Sequence, residues 1–449
     1  MAVVAPFRAL RYDPSKVSDL SRVVTPPYDV INEEQQEQYY QADPHNIIRI
    51  ELNRTRDTDN PEDNRYTRSA AHFQKWLAEG VLSRDQQPAF YLSETTYQDA
   101  EGQTRVRRGF FTLLRVEDFS SGVVLPHEKT FTGHKEDRLQ LTKATGANIS
   151  PIFALYPDDQ NRVHQVLEGA RRQPPLADFV DPMGLGQRLY AVDDPQACAQ
   201  VQELMAGKVI FIADGHHRYE TALNYRNYMR QKYPDNWQNM SFNYVLVYLC
   251  SMSDPGLTIF PCHRVLPHLD GFSAEDFLAL AKPYFICQDI PIMGEGEAAC
   301  QAFRAALAQA GRQGRSFGLA VADSDYFHVL TLRKGSLKES WWNQLEGPLR
   351  DLDVEVMTVV VLEHMLGLDN SARDHIHTIK YVSDMVEVVN EVRSGQARVG
   401  FLLNPTRIEQ VKAVAEAGLI MPRKSTYFYP KVLTGLTINQ VAPPEPIGS

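Results

Sequence analysis

Val209-Ile210-Phe211-Ile212-Ala213-Asp214-Gly215-His216-His217-Arg218-Tyr219-Glu220-Thr221-Ala222-Leu223 is the stretch from which the fold is read. Its five leading apolar residues suit a buried strand, and beyond a polar turn Tyr219, Ala222, Leu223 and Tyr225 recur at helical spacing. A helix start presents N–H donors and the positive end of its dipole, so His216, His217 and Arg218 placed there form a seat for a phosphate or carboxylate. Gly215 lets the backbone approach closely, and Asp214 adds a carboxylate at the strand end. A buried Asp–Arg pair with surface histidines would account for some of these residues. A turn needs one polar or glycine position, however, and here five stand in a row.

Outward from this stretch, strand-like and helix-like patterns alternate along all 449 residues, which predicts an α/β (mixed α+β) architecture. The length suits two or more domains, and the change of pattern near 266–274 divides the chain into a first domain at 1–270 and a second α/β domain at 271–449. The 422–431 loop of the second is expected to return to the site. Hydrophobic residues make up 43% and charged residues 23%, an ordinary globular balance without a segment biased enough for disorder. A net charge of −10, with scattered basic residues, argues against nucleic acid or an anionic membrane as partner and leaves a small-molecule substrate. No run approaches the length of a membrane span, and no charged segment precedes an apolar core at the N-terminus, so a cytoplasmic location is expected. Five widely spaced cysteines without a C-x-x-C pair fit reduced thiols. Self-association is left open.

Three further stretches carry candidate chemistry. In Thr25-Pro26-Pro27-Tyr28-Asp29 the prolines stiffen a loop and fix where Tyr28 and Asp29 point. The segment Pro126-His127-Glu128-Lys129-Thr130 through Arg138 follows an apolar run; Glu128 suits a general base or metal ligand, and Lys135, Arg138 and Lys143 suit anions. Pro422-Arg423-Lys424-Ser425-Thr426-Tyr427-Phe428-Tyr429-Pro430-Lys431 offers cations and hydroxyls beside aromatic walls. Solvated loops and strand edges would carry similar residues, so both readings stand. Asp374-His375-Ile376-His377 puts two imidazoles two residues apart, a weak metal pattern. His263-Arg264 could point into the same cleft, though it reads better as a satisfied structural pair.

Val24 to Val30, His127 to Thr130, Ile212 to Ala222 and Pro422 to Lys431, in this order, resemble the bacterial and archaeal domain-of-unknown-function family 1015 over Phe7 to about Leu436. Within it, Asp214-Gly215-His216-His217-Arg218 resembles the phosphate-binding turn of the ParB/sulfiredoxin superfamily, which implies a ParB/sulfiredoxin-like N-terminal core. That superfamily holds DNA-segregation nucleotide switches, sulfinic-acid reductases and free L-serine kinases. Sulfiredoxins carry cysteine where this chain has His216, and the acidic balance speaks against DNA segregation, whereas the free serine kinases share the Asp-Gly-His-His-Arg form.

The resemblance therefore implies phosphoryl transfer to a small hydroxy-amino acid, or its reversal on phosphoserine. Gly215, His216, His217 and Arg218 would hold nucleotide phosphates, with Mg²⁺ and ATP or ADP as cofactors. Asp214 or Glu128 would orient or deprotonate the acceptor hydroxyl, and Arg138, Lys424, Ser425, Thr426, Tyr28 and Asp29 would bind substrate. No P-loop pattern is present, so the phosphate site is of this other kind. A non-catalytic sensor of a nucleotide or phosphorylated metabolite would use the same turn, as would a phosphatase-like reaction on phosphoserine.

Overall fold

The computed structural model describes residues 1–99, 102–128, 132–235, 237–269, 271–322, 324–368 and 379–447. The chain forms two units, each with its own sheet. The first comprises Met1–Pro126, Thr130–Leu257 and Pro430–Ser449, and the second His127–Lys129 and Thr258–Tyr429. The expected division at 270/271 differs from this on three counts, the first being that His127–Lys129 group with the second unit. The chain crosses over at 257/258, and its last twenty residues belong with the first unit. Their apolar side chains explain the return: Leu433, Leu436, Ile438 and Val441 are buried, and Leu10 and Ile438 exchange backbone hydrogen bonds of 2.9 and 3.0 Å.

Among the described residues the first unit has a nine-stranded mixed sheet. Its strands are β1 (Val4–Ala5), β2 (Phe90–Gln98), β3 (Thr104–Arg115), β4 (Val124–Leu125), β5 (Ile152–Tyr156), β6 (Ala177–Val180), β7 (Gly186–Val192), β8 (Ile210–Asp214) and β9 (Tyr244–Ser251). They run in the order β4-β8-β5-β9-β3-β2-β7-β6, with β1 beside β3. β2 and β3 pair antiparallel as a hairpin, Glu94 opposite Arg108. The central strands β5 and β9 are parallel to each other, and β5 is buried along its whole length. Five helices matter to the site and core: α1 (Ile48–Glu51), α2 (Thr132–Thr145), α3 (Arg162–Ala170), α4 (Pro195–Ala206) and α5 (His216–Lys232). Val163 and Leu167 of α3, Val201 and Met205 of α4, and Tyr219 and Ala222 of α5 pack with Phe110, Ile152, Ile212 and Val247 of the sheet into one core. Each of the larger aliphatic and Phe side chains among them contributes roughly 2 kcal/mol over its exposed state.

Among the described residues the second unit has a six-stranded antiparallel sheet. Its strands are β10 (His263–Leu266), β11 (Phe285–Pro291), β12 (Ser316–Val321), β13 (Tyr326–Leu332), β14 (Lys380–Val382) and β15 (Val399–Leu403), in the order β11-β13-β12-β15-β10-β14. Helices α6 (Gly296–Gln313) and α7 (Met385–Arg393) cover one face, where Phe303 and Leu307 meet Val388, Val389 and Leu402. The fold is thus mixed α/β in both units. Asp374, His375, Ile376 and His377 lie outside the described residues, as do Lys129 and Thr130.

Candidate functional site

The first unit builds its densest cluster of charge where β8 ends. Pairing between β8 and β5 slips one residue here, Ile212 facing Ala154 and Asp214 facing Phe153. Such a bulge re-aims the following side chain, and it puts the Asp214 carboxylate at the mouth of the turn. Gly215 then adopts φ +91°, and a methyl group on it would lie 2.7 Å from Arg218 Nε. Both the backbone angle and the space therefore require glycine. Helix α5 starts immediately afterwards with no side-chain cap, and His216 and Arg218 of its first turn are buried while His217 is half-buried.

Asp214 holds two cations. Arg218 Nη2 donates to its Oδ2 at 2.7 Å, and Lys431 Nζ donates to its Oδ1 at 3.1 Å. Arg218 Nη1 also donates to the Pro151 carbonyl. Burial disfavours the Arg218 charge, yet Asp214, Asp29, Tyr28 and Glu51 outweigh it and hold the guanidinium above its usual pKa. The Asp–Arg pair considered from sequence alone is therefore real. It occurs within a larger constellation and does not replace one.

A second buried guanidinium stands near the first. Arg138, from α2, donates from Nη1 to the Glu51 carbonyl at 2.8 Å and to Glu51 Oε1 at 3.3 Å, and from Nε to Asp137 Oδ2 at 2.7 Å. Its guanidinium carbon lies 4.0 Å from the centre of the Tyr28 ring, a cation–π contact. Ser150 Oγ donates to Glu51 Oε1 at 2.8 Å. Glu51 is 2% exposed, and burial pushes its carboxyl above the usual range against the pull of Arg138 and Ser150. Glu51, Arg138, Ser150, Arg218 and Thr221 line a cavity of about 40 Å³. That space takes a water or two, or the tip of a bound group, and not a whole nucleotide. Asp29 is exposed beside it in charge terms, acting on both Tyr28 and Arg218. At the other side of α5, Lys135 Nζ donates to Glu220 Oε2 at 2.7 Å.

Of the residues expected at the site, Tyr28, Asp29, Arg138, Asp214, Gly215, His216, His217 and Arg218 lie in the first unit, and Glu128, Lys424, Ser425 and Thr426 in the second. In the second unit Glu128 is half-buried and its backbone bridges to Met421, whose N–H donates to the His127 carbonyl at 2.9 Å. Lys424 is exposed at φ +55°. Ser425 Oγ donates to the Pro422 carbonyl at 2.5 Å, and its own carbonyl accepts from Thr406 Oγ1 at 2.7 Å, bonds that shape this loop. Thr426 Oγ1 sits 3.2 Å from His127 Nε2. His263 is structural as expected: its Nδ1 accepts from the Leu403 N–H at 3.1 Å, and burial beside Arg264 pushes its pKa down to about 3.

Sequence reasoning missed Glu51 and Ser150. Glu51 closes the run Ile47-Ile48-Arg49-Ile50, which reads as a strand and folds instead as the short helix α1.

A family model described as a protein of unknown function, DUF1015, matches residues 4–355. The chain belongs to the DUF1015 family. The match spans the Asp214–Arg218 corner, Glu51, Arg138 and Glu128 of this DUF1015 protein, and stops before the 422–431 loop and Lys431. Among solved structures it is similar to a free serine kinase in complex with AMP, at 12% identity and a TM-score of 0.36, covering 74% of this chain and 91% of that one. It is also similar to a conserved hypothetical protein from Pyrococcus furiosus, at 11% identity and TM-score 0.34, covering 74% and 95%. SbnI with a C-terminal truncation from Staphylococcus aureus stands at 10% identity and TM-score 0.34, covering 74% and 87%. No curated protein matches the DUF1015 chain. No helix among its described residues is long and apolar enough to cross a membrane.

Proposed function

We propose that this protein is a phosphotransferase acting on a small hydroxy-amino acid, using a nucleotide as phosphate donor or, in reverse, as acceptor. The observation that carries the reading is the convergence of two buried guanidiniums, Arg138 and Arg218, on one cavity beside an uncapped helix start, with Lys431 completing the cationic corner through Asp214. Cations held by buried partners suit charge that spreads over a transferring phosphoryl group, because positioning and charge stabilisation supply most of such catalysis. Gly215 fits this role through its backbone: at φ +91°, and with Arg218 packed where a Cβ would stand, it shapes the turn that leads into the helix start.

In the forward direction the acceptor hydroxyl oxygen attacks the terminal phosphorus, the bond from phosphorus to the leaving nucleoside diphosphate breaks, and the hydroxyl proton passes to a carboxylate. Both oxygens of Asp214 are engaged, so its part is to fix Arg218 and Lys431. Glu51, raised by burial and bonded to a serine hydroxyl, is the carboxylate of this unit suited to take a proton. Asp29, exposed and acting on the Arg218 charge, would hold Mg²⁺, and the ion when bound would neutralise charge on the phosphates.

The engagement of both Asp214 oxygens also favours a second reading, a sensor that holds a nucleotide without turnover. Incubation with ATP, Mg²⁺ and L-serine, and with phosphoserine and ADP, separates the two when calorimetry with nucleotide is run in parallel. Turnover that falls about 10²-fold or more in Glu51→Gln with binding retained supports the enzyme. Binding without turnover in the unmodified protein supports the sensor, and neither activity refutes both. Glu128→Gln in the same assay tests whether that carboxylate takes the proton instead.

A further inference from the structure

The second unit carries a cluster of side chains that the phosphotransfer reading does not use. Cys287 and Asp289 stand two residues apart on β11, and residues so spaced on a strand project from the same face. His328 on β13 lies directly opposite Asp289 in the antiparallel register, which brings all three groups together above one patch of sheet. Cys287 Sγ is 3.6 Å from Asp289 Oδ1, and His328 Nδ1 is 2.7 Å from the same oxygen. The three ligand atoms lie within 4.8 Å of one another, Cys287 and Asp289 exposed and His328 buried.

These separations approach those of a tetrahedral zinc shell. With zinc–sulfur near 2.3 Å and zinc–oxygen or zinc–nitrogen near 2.0–2.1 Å, neighbouring ligand atoms should sit about 3.5 Å apart for sulfur and oxygen and about 3.4 Å for nitrogen and oxygen. The first distance is already met. The second requires the His328–Asp289 hydrogen bond to open by about 0.7 Å, a small change for an exposed carboxylate. The donor set also discriminates: thiolate and imidazole favour zinc-like cations, and magnesium and calcium prefer all-oxygen shells.

We propose that Cys287, Asp289 and His328 form a binding site for a borderline divalent cation of the Zn²⁺ class, with a water in the fourth position. A free thiol is mostly protonated near neutral pH, so binding the cation releases a proton from sulfur. β11 is the outermost strand of its sheet among the described residues, and the cation clips it to β13.

The test uses the full chain stripped with EDTA and titrated with Co²⁺, which reports thiolate ligation through a near-ultraviolet charge-transfer band and tetrahedral geometry through its visible bands. The expected result is one equivalent of Co²⁺ giving both signals, displaced by Zn²⁺. Cys287→Ser abolishes the thiolate band, and Asp289→Asn and His328→Gln each weaken binding roughly tenfold or more. Cys287 and Asp289 are exposed, so their variants are expected to fold, and circular dichroism checks this. Absence of the band at saturating Co²⁺, or a band that survives Cys287→Ser, overturns the proposal. Neither readout involves nucleotide or turnover, so the result is independent of the phosphotransferase reading.

Discussion

Gly215 shows how one residue sets the geometry of the corner. At φ +91°, an L side chain is strained, and its Cβ would stand 2.7 Å from Arg218 Nε and 2.9 Å from Arg218 Cζ. Gly215→Ala must therefore bear backbone strain and displace a buried guanidinium, a cost of about 1–3 kcal/mol. The urea midpoint should fall at unchanged slope, and a midpoint equal to that of the unmodified protein would show that the turn has room to spare. Asp353 makes a different kind of prediction. It accepts from the Ser316 N–H at 3.1 Å and from Asn404 Nδ2 at 3.0 Å, and burial, against those bonds, pushes its carboxyl up to about 6. The unfolded carboxyl titrates near 3.9, so between about pH 4 and pH 6 the folded state binds more protons than the unfolded one, and stability falls as pH rises through that window. Asp353→Asn has no proton to lose. Its stability relative to the unmodified protein should improve by about 2–3 kcal/mol from pH 4 to pH 7, measured by urea unfolding at both values. A difference independent of pH would mean that the carboxyl is not perturbed.

At the scale of elements, what was legible depended on whether pattern alone could decide. The strand and helix around Asp214 were readable because apolar residues fill 209–213 and then change to helical spacing; the structure has Ile210–Asp214 and His216–Lys232. The run at 47–51 has the apolar density of a strand yet folds as a short helix, because Ile47, Ile48 and Ile50 are all wholly buried and complete burial erases the periodicity that separates the two. Glu51 was lost with it, since its importance comes from Arg138 and Ser150, 87 and 99 residues away in the chain. The link from Lys431 to Asp214 was hidden for the same reason, the two residues standing 217 positions apart, although the cations and hydroxyls of 422–431 mark that stretch for an anion. Glycine in a strand was a quieter clue. Gly109 of β3 faces Cys250 of β9, and a Cβ there would come 2.4 Å from Tyr248 Cζ and 2.6 Å from the Leu249 carbonyl oxygen. Gly109→Ala should force the central strand pair apart at a cost of about 1–3 kcal/mol, lowering the thermal midpoint. No change in that midpoint would show that the Tyr248 ring yields freely.

The whole chain is organised as one unit interrupted by another. The main segment of the second unit, Thr258–Tyr429, begins and ends on a two-stranded ribbon in which Thr258 pairs with Tyr429, Ile259 with Phe428 and Phe260 with Tyr427. Directly opposed antiparallel residues have Cα atoms about 5 Å apart, so the chain enters and leaves this segment at nearly the same point. An excursion with adjacent ends can be replaced by a short link without stretching what remains. A shortened chain in which about four Gly/Ser residues replace 258–429 should therefore keep the nine-stranded sheet, because Leu433, Leu436, Ile438 and Val441 remain to fill its core and Lys431 remains to meet Asp214. A cooperative thermal transition and nucleotide binding by calorimetry are the expected results, since the cavity residues Glu51, Arg138, Ser150 and Arg218 all lie outside the excised segment. A chain that instead stops at 429 loses those four core side chains and Lys431 together and should fail to fold. If the shortened chain shows no cooperative transition while the full one does, the second unit is a condition of the first unit's folding and the insertion is not thermodynamically separable.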